Sequence, residues 1–502
     1  MKKKLTIIAL SAASTLPVLA GGLVHNTNHN AAFLRQFSQD AIIDITGLYL
    51  NPAGTAFLAD GWHVSLNVQN ATQDRDVTTT FPLMALNTEY PGESTRKFHG
   101  HAYAPVIPSF QLSYNHGKWS VNANFSIGGG GGKCEFDSGL GTFEALYAAQ
   151  LYSQVPQMIN AQAQANVTAG LQQLGYPAEY AQMLAQSGTY NGQLTGYSLN
   201  AYMKGREYQF GLTLGGTYKV LDNLAVSLGV RAIYSTSNYN GWVQDIKASY
   251  AASVDVPANA ALNFPGMQSS DQGTKELDEY AISLNTDRTG WGFSPIIGID
   301  WRINQHWNVA ARYEFKTRLR LENKSEMNDY TKALASQNEM LGQFADGAKV
   351  AADVPSILGV GVQYSPISSV RLMAAVHSYG DKNATRYGDT QKLIDDDELE
   401  FTAGVEWDCC KWVTLSGSWQ YSDFGTSDAF MNDVAFDLDS NNMGLGARVN
   451  VNEHFNIDLG WMLTFYKDRE VTTQNYLGSG LTRTDLYSRN NHVLGIGLNF
   501  KF

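Results

Sequence analysis

The chain has 502 residues, a formal net charge of −12, only 16% charged residues, 47 glycines, 26 tyrosines, 22 phenylalanines and 10 tryptophans. Such an acidic surface does not recruit nucleic acid. Three cysteines, Cys134, Cys409 and Cys410, exclude a full disulfide framework, and a bridge between the neighbours Cys409 and Cys410 would be strained.

Lys2, Lys3 and Lys4 precede a mostly apolar run from Leu5 to Leu16, and Val18-Leu19-Ala20 closes it. This is the pattern of a secretory signal over residues 1–20, cleaved after Ala20. The apolar run is shorter than the roughly 20 residues a spanning helix needs. No cysteine follows the cleavage point to carry a lipid anchor.

Residues 21–60 do not alternate. Ala31, Ala32, Phe33, Leu34 and Phe37, then Ile42 to Leu50 with Leu48 and Tyr49, make an apolar, partly helical segment. Asn51, Pro52, Ala53 and Gly54 end it in a turn.

From residue 61 to 502 a period of two takes over. Trp62, Val64, Leu66 and Val68 alternate with His63, Ser65 and Asn67. Phe110-Leu112-Tyr114, Trp119 to Ile127, and Leu224 to Tyr234 repeat the pattern, and further runs follow to Leu494–Phe502. A strand sends alternate side chains to opposite faces. Each run is close to the 9–11 residues a tilted strand needs to cross a bilayer. Tight turns such as 115–118, 221–223 and 304–306 alternate with long segments such as 71–106, 129–196 and 239–288. That asymmetry predicts an all-β transmembrane barrel, with short periplasmic turns and long extracellular loops. Tyr197 to Met203 and Tyr208 to Leu214 carry their apolar face first on odd, then on even positions. Read as one strand bulged at 204–207, they bring the antiparallel count to fourteen, an even number.

A lumen of that width is not filled by its own side chains. Residues 21–60 are therefore expected inside it as a plug; a periplasmic tail would leave their apolar side chains exposed. Residues 142–186 and 332–349 carry helical patterns and are expected over the barrel mouth, forming an apolar groove or holding the loops together.

No Gly-x-Ser-x-Gly elbow and no His-Glu-x-x-His pair occurs, so neither an enzyme nor a cofactor is expected. His25, His29, His99 and His101 suggest a haemin receptor, but flexible polar segments account for them more simply.

Four places carry a family resemblance: Asn51-Pro52-Ala53 before the barrel, Trp291-Gly292-Phe293 with Gly298 and Trp307 to Leu321, Val354 to Gly361, and Gly495 to Phe502. Together they resemble the FadL family, outer-membrane transporters of long-chain fatty acids and other hydrophobic compounds. The resemblance implies a 14-stranded barrel with a lumenal hatch ending at Asn51, Pro52, Ala53 and Gly54. It implies passive transport, with lateral exit where the third strand kinks inward. Gly128, Gly129, Gly130, Gly131 and Gly132 end the third strand here and would permit that kink, or mark a flexible loop. Phe33, Leu34, Phe37, Leu48 and Tyr49 are the apolar ligand candidates. Arg206, Arg312 and Lys316 are candidate partners for a carboxylate, or ordinary lumen charges. The implied partners are a hydrophobic small molecule, outer-membrane lipid and the barrel-assembly machinery, which would read the closing Phe502; a monomer is expected. A general porin and an outer-membrane lipase are the alternatives.

Overall fold

The computed structural model describes residues 30–337, 339–434 and 436–502. The expected signal, residues 1–20, lies outside them, as do His25 and His29.

Alternation turns into a closed wall. The strands are β1 Gly61–Thr80, β2 Thr95–His116, β3 Trp119–Phe136, β4 Thr189–Leu221 and β5 Leu224–Val256. The segments Met267–Glu276 and Ile282–Arg302 both pair with β5 and form β6. Trp307–Glu314 and Arg320–Met327 both pair with β6 and form β7. Lys349–Ala351 and Ile357–Ile367 pair with β7 and form β8. β9 Val370–Tyr379, β10 Leu399–Cys410, β11 Val413–Asp423 and β12 Ser440–Asn452 follow. Phe455–Tyr466 and Arg469–Thr473 form β13, and both pair with β14, Arg483–Lys501. β14 returns to β1, with Phe500 opposite Val64. The result is a closed antiparallel barrel of 14 strands. No helix of the described residues is long and apolar enough to cross a membrane.

The outward faces carry the apolar rows, with Val121, Leu214, Leu228 and Leu494 all exposed. Aromatic pairs rim this band, as interfacial girdles do. Trp62–Tyr114, Trp119–Tyr218 and Trp307–Tyr364 lie at the end of the short turns, with ring centroids 4.3–4.7 Å apart. Tyr234 and Trp291, 4.7 Å apart, stand at the other.

The strands run much further than expected. β4 and β5 are 33 residues each, and much of 71–106 and 239–288, with both ends of 129–196, is wall rather than loop. Beyond the girdle the outside is water, so outward positions such as Asp74, Asp76, His99 and His101 are polar and the alternation fades. At that level the inside becomes apolar instead. Helix α2, Gly141–Gln173, starts with residues buried in the barrel mouth, including Phe143, Leu146 and Tyr147. Around it pack Phe81, Met84, Phe98, Tyr197, Met203, Tyr239, Val243 and Phe344. The helical insert therefore serves as a packed cap. It also accounts for the exchange of faces near 204–207. The β4–β5 register runs unbroken from Asn200–Gln244 to Lys219–Ala225 through those residues. The register shifts lie at Leu194/Gly196, Ser198/Asn200 and, beside the turn, Lys219/Leu221 instead. The apolar face moved because lipid below gave way to cap above. Cys134 on β3 and Cys409 and Cys410 at the end of β10 are free thiols.

Candidate functional site

The segment before β1 folds into the lumen. Asn30 caps the short helix α1, Ala31–Arg35, its side chain accepting from the Phe33 amide at 2.8 Å. Five residues do not hold a helix by propensity; tertiary contact does. Ala31, Ala32 and Leu34 are completely buried. The wall receives them on a row of glycines, with Gly446 opposite Gly460 and Gly460 opposite Gly495. A Cβ on Gly460 or Gly495 would come within 2.7 Å of the Leu34 side chain, and one on Gly444 within 2.6 Å of the Leu34 carbonyl. Glycine in a strand here marks close approach of another backbone.

Charged contacts fasten the same segment. Arg35 donates to Asp458 at 2.9 Å, and also to Glu406 and Ser416. Asp458 is shared with Arg448, and Glu406 with Arg371. His377 Nε2 lies 2.9 Å from Asp40, and its Nδ1 lies 3.2 Å from Glu400. Asp44 pairs with Arg448 at 2.9 Å. Burial pushes the Asp44 carboxyl up, but the Arg448 charge and the hydrogen bonds from Arg448 and Thr46 outweigh it, holding the group well below the usual carboxylate range.

Asn51, Pro52, Ala53 and Gly54 sit at the periplasmic end. Asn51 caps the turn Pro52–Phe57, accepting from the Gly54 amide at 3.0 Å while its amide donates to Asp300 of β6. Thr55 beyond it reaches Ser120 and Asn122 of β3.

Above this plug lies a crevice lined by Phe33, Tyr49, Gly128, Arg231, Arg312 and His377 among others, with unfilled space of about 30 Å³. That is room for about one water in this crevice. Arg312 pairs with Glu314, and Arg231 lies 3.0 Å from the same carboxylate. The Tyr49 hydroxyl accepts from Arg231 at 2.9 Å, and both guanidiniums lie near the Tyr49 ring, 4.4 and 5.1 Å from its centroid.

The structure thus brings Phe33, Tyr49, Arg312 and Gly128 together. Leu48 lines an adjoining crevice with Asn122 and Thr213. Leu34 and Phe37 instead face the wall, beside Met462 and Val493. Arg206 is exposed on the outer face of β4, two residues from outward Tyr208. Lys316 is partly exposed and donates to the Asn383 carbonyl at 2.8 Å. Neither lines the crevice. Arg231, Glu314, His377 and Asp40 escaped the sequence reading. Their signal was available: each strand member is a charged residue or imidazole at an inward position of an otherwise alternating strand.

Beside the crevice the wall loosens. β2 and β3 pair from His116–Trp119 to Phe110–Phe125, then only resume at Tyr103–Lys133. Between these points residues 104–109 and 126–132 have no partner across the ladder. Pro105 and Pro108 have no amide hydrogen to offer. The glycine run, Gly128 to Gly132, lies opposite them. On its other side the register to β4 shifts twice, at Ile127/Gly129 and Gly129/Gly132.

The family model described as outer membrane protein transport protein (OMPP1/FadL/TodX) matches residues 189–502. No curated protein matches. Among solved structures, a FadL homologue of Pseudomonas aeruginosa superposes with a TM-score of 0.59 at 15% identity, over 95% of this chain and 98% of that one. A TodX deltaS2S3 mutant monoaromatic hydrocarbon channel gives 0.53 at 12% identity, over 94% and 99%. The Pseudomonas putida toluene transporter TodX gives 0.50 at 12% identity, over 93% and 97%. At these identities the structures speak for the fold. Members of the matched family are transport channels rather than enzymes. The chain belongs to the OMPP1/FadL/TodX family of outer membrane transport proteins, as a 14-stranded barrel of the Gram-negative outer membrane.

Proposed function

We propose that the protein carries hydrophobic molecules with a polar head, long-chain fatty acids or similar compounds, passively across the outer membrane and releases them sideways into the bilayer. The observation that carries this reading is the unpaired stretch between β2 and β3, with Gly128 at once beside that stretch and on the crevice wall. The lining combines Phe33, Leu50, Ile233 and Ile357 with Arg231, Arg312 and Glu314. Apolar walls with a few placed charges suit an amphipathic ligand.

In this scheme residues 21–60 are the hatch and 61–502 the barrel. A ligand enters through the capped mouth and comes to rest on the hatch beside Tyr49. Displacement of the hatch widens the crevice. The ligand then leaves between β2 and β3, through the gap that opens just beyond the outward pair Phe110 and Phe125. Apolar burial favours each step, so no energy source is required.

Two variants test the scheme by fatty-acid uptake into cells: one lacking residues 51–53, and one in which the run 128–132 is shortened and given β-branched residues. Both are expected to assemble as barrels and to lose uptake. Unchanged uptake by both would falsify lateral exit. The porin alternative separates in planar bilayers, where a plugged transporter stays quiet and a porin conducts steadily.

A further inference from the structure

We propose that the outer face of β1 and β2 carries a binding site for one divalent transition-metal cation, built from Asp74, His99 and His101. The three offer ligand atoms that all lie within 4.8 Å of one another. The geometry follows from the ladder. His99 and His101 are two apart on β2, so both imidazoles leave the same face. Their rings are roughly parallel, with centroids 6.5 Å apart. Asp74 and Asp76 occupy the facing positions of β1, Asp74 opposite His101 and Asp76 opposite His99. His101 Nδ1 lies 2.7 Å from Asp74, and His99 Nε2 lies 3.8 Å from the same oxygen.

This donor set has the chemistry of a zinc-type site. Imidazole nitrogens with a carboxylate suit Zn²⁺, Cu²⁺ and Ni²⁺, whereas Mg²⁺ and Ca²⁺ prefer oxygens. Metal-bound imidazoles hand their second nitrogen to a carboxylate or water. Asp76 already takes that part, 2.6 Å from His99 Nδ1. Metal bonds of about 2.0–2.2 Å require the three ligand atoms to draw closer. The imidazoles are half exposed, so side-chain rotation alone supplies this movement. Lys97 is held by Asp76 at 2.7 Å, on the side away from Asp74 in the ladder, and Lys133, opposite Tyr103 on β3, is held by Glu135. Water would complete the coordination.

The position gives the site a consequence. It stands just above Tyr103–Lys133, where β2 resumes its pairing with β3 beyond the gap. A bound cation would tie β1 to β2 at that point, stiffening the fixed edge of the opening.

The test uses untagged full-length protein in detergent, stripped with chelator. Zn²⁺ is titrated by calorimetry and Co²⁺ by its visible absorbance. One equivalent of each is expected to bind. The affinity should fall at least tenfold in the His99→Ala/His101→Ala double variant and in Asp74→Asn, and persist in His25→Ala/His29→Ala. Heat-dependent gel mobility checks that each variant is a folded barrel. The proposal is overturned if the parent protein binds neither ion at submillimolar concentration, or if folded His99→Ala/His101→Ala binds as the parent does. In either case the cluster is a pair of histidine–carboxylate hydrogen bonds joining two strands.

Discussion

Replacing Arg35 by Met should free the plug while leaving the wall intact. Arg35 is buried and donates to Asp458 and Glu406 together, joining the plug to β13 and β10. Hydrogen bonds to charged groups contribute about 1.5–3 kcal/mol each. The loss will not reach the sum, because neither carboxylate is abandoned: Asp458 keeps Arg448 and Glu406 keeps Arg371. Met retains most of the aliphatic volume. A net loss of about 3 kcal/mol is expected, or roughly 100-fold in the docking equilibrium. Hydrogen–deuterium exchange reads this directly. Amides of residues 31–50 should exchange about 100-fold faster in Arg35→Met, while those of β10 and β13 keep their protection. Exchange in 31–50 within threefold of the parent would refute the idea that this pairing holds the plug. Equal loss of protection in plug and wall would show that Arg35 stabilises the whole barrel instead.

Gly460→Val places a branched side chain where Leu34 lies; overpacking costs about 1–3 kcal/mol, so folded barrels should show raised ion conductance, and silent bilayers would count against the glycine row as a docking surface. Asp44 is depressed in the folded state, so its contribution is fully present above the ordinary carboxylate pKa of about 4 and fades as pH falls below it. Plug protection, corrected for intrinsic exchange, should therefore drop in acid, and this part of the pH dependence should vanish in Asp44→Asn; an identical profile in both would remove Asp44 as the cause. Glu314→Gln leaves Arg231 and Arg312 buried without their shared countercharge, at a cost of about 3–5 kcal/mol; the urea midpoint should fall, and an unchanged midpoint would mean the guanidiniums are compensated elsewhere.

The lipid-facing wall was legible because lipid imposes the period. Trp119, Val121 and Ala123 had to be apolar, and Ser120, Asn122 and Asn124 faced the lumen. The extra height of the wall was not legible. At Asp74, Asp76, His99 and His101 both the chemistry and the solvent change, and a strand in water need not alternate. The stretch around 204–207 shows this most clearly: in the sequence a switch of apolar face has the pattern of a bulge, whereas in the structure it records lipid outside giving way to the α2 cap inside. The plug was foreseen from Phe33, Leu34 and Tyr49, side chains with nowhere else to go. Its fastenings were not. Arg35, Asp40 and Asp44 look like scattered charges until folding brings Asp458, His377 and Arg448 from several hundred residues away. Arg206 misled for the opposite reason, since its strand position gave no sign of which face it would take. The glycine run was conspicuous, but its meaning depends on Pro105 and Pro108 across the ladder.

The route of the ligand is the central claim, and photolabelling reads it most directly. A long-chain fatty acid bearing a diazirine in its tail would be added to cells producing the protein, irradiated during uptake, and the adducts mapped by mass spectrometry. The account predicts adducts on residues 104–109 and 126–132 and on the outward neighbours Phe110 and Phe125. Adducts running instead down the lumen to Asn115 and Thr217, with none along the β2–β3 gap, would contradict it.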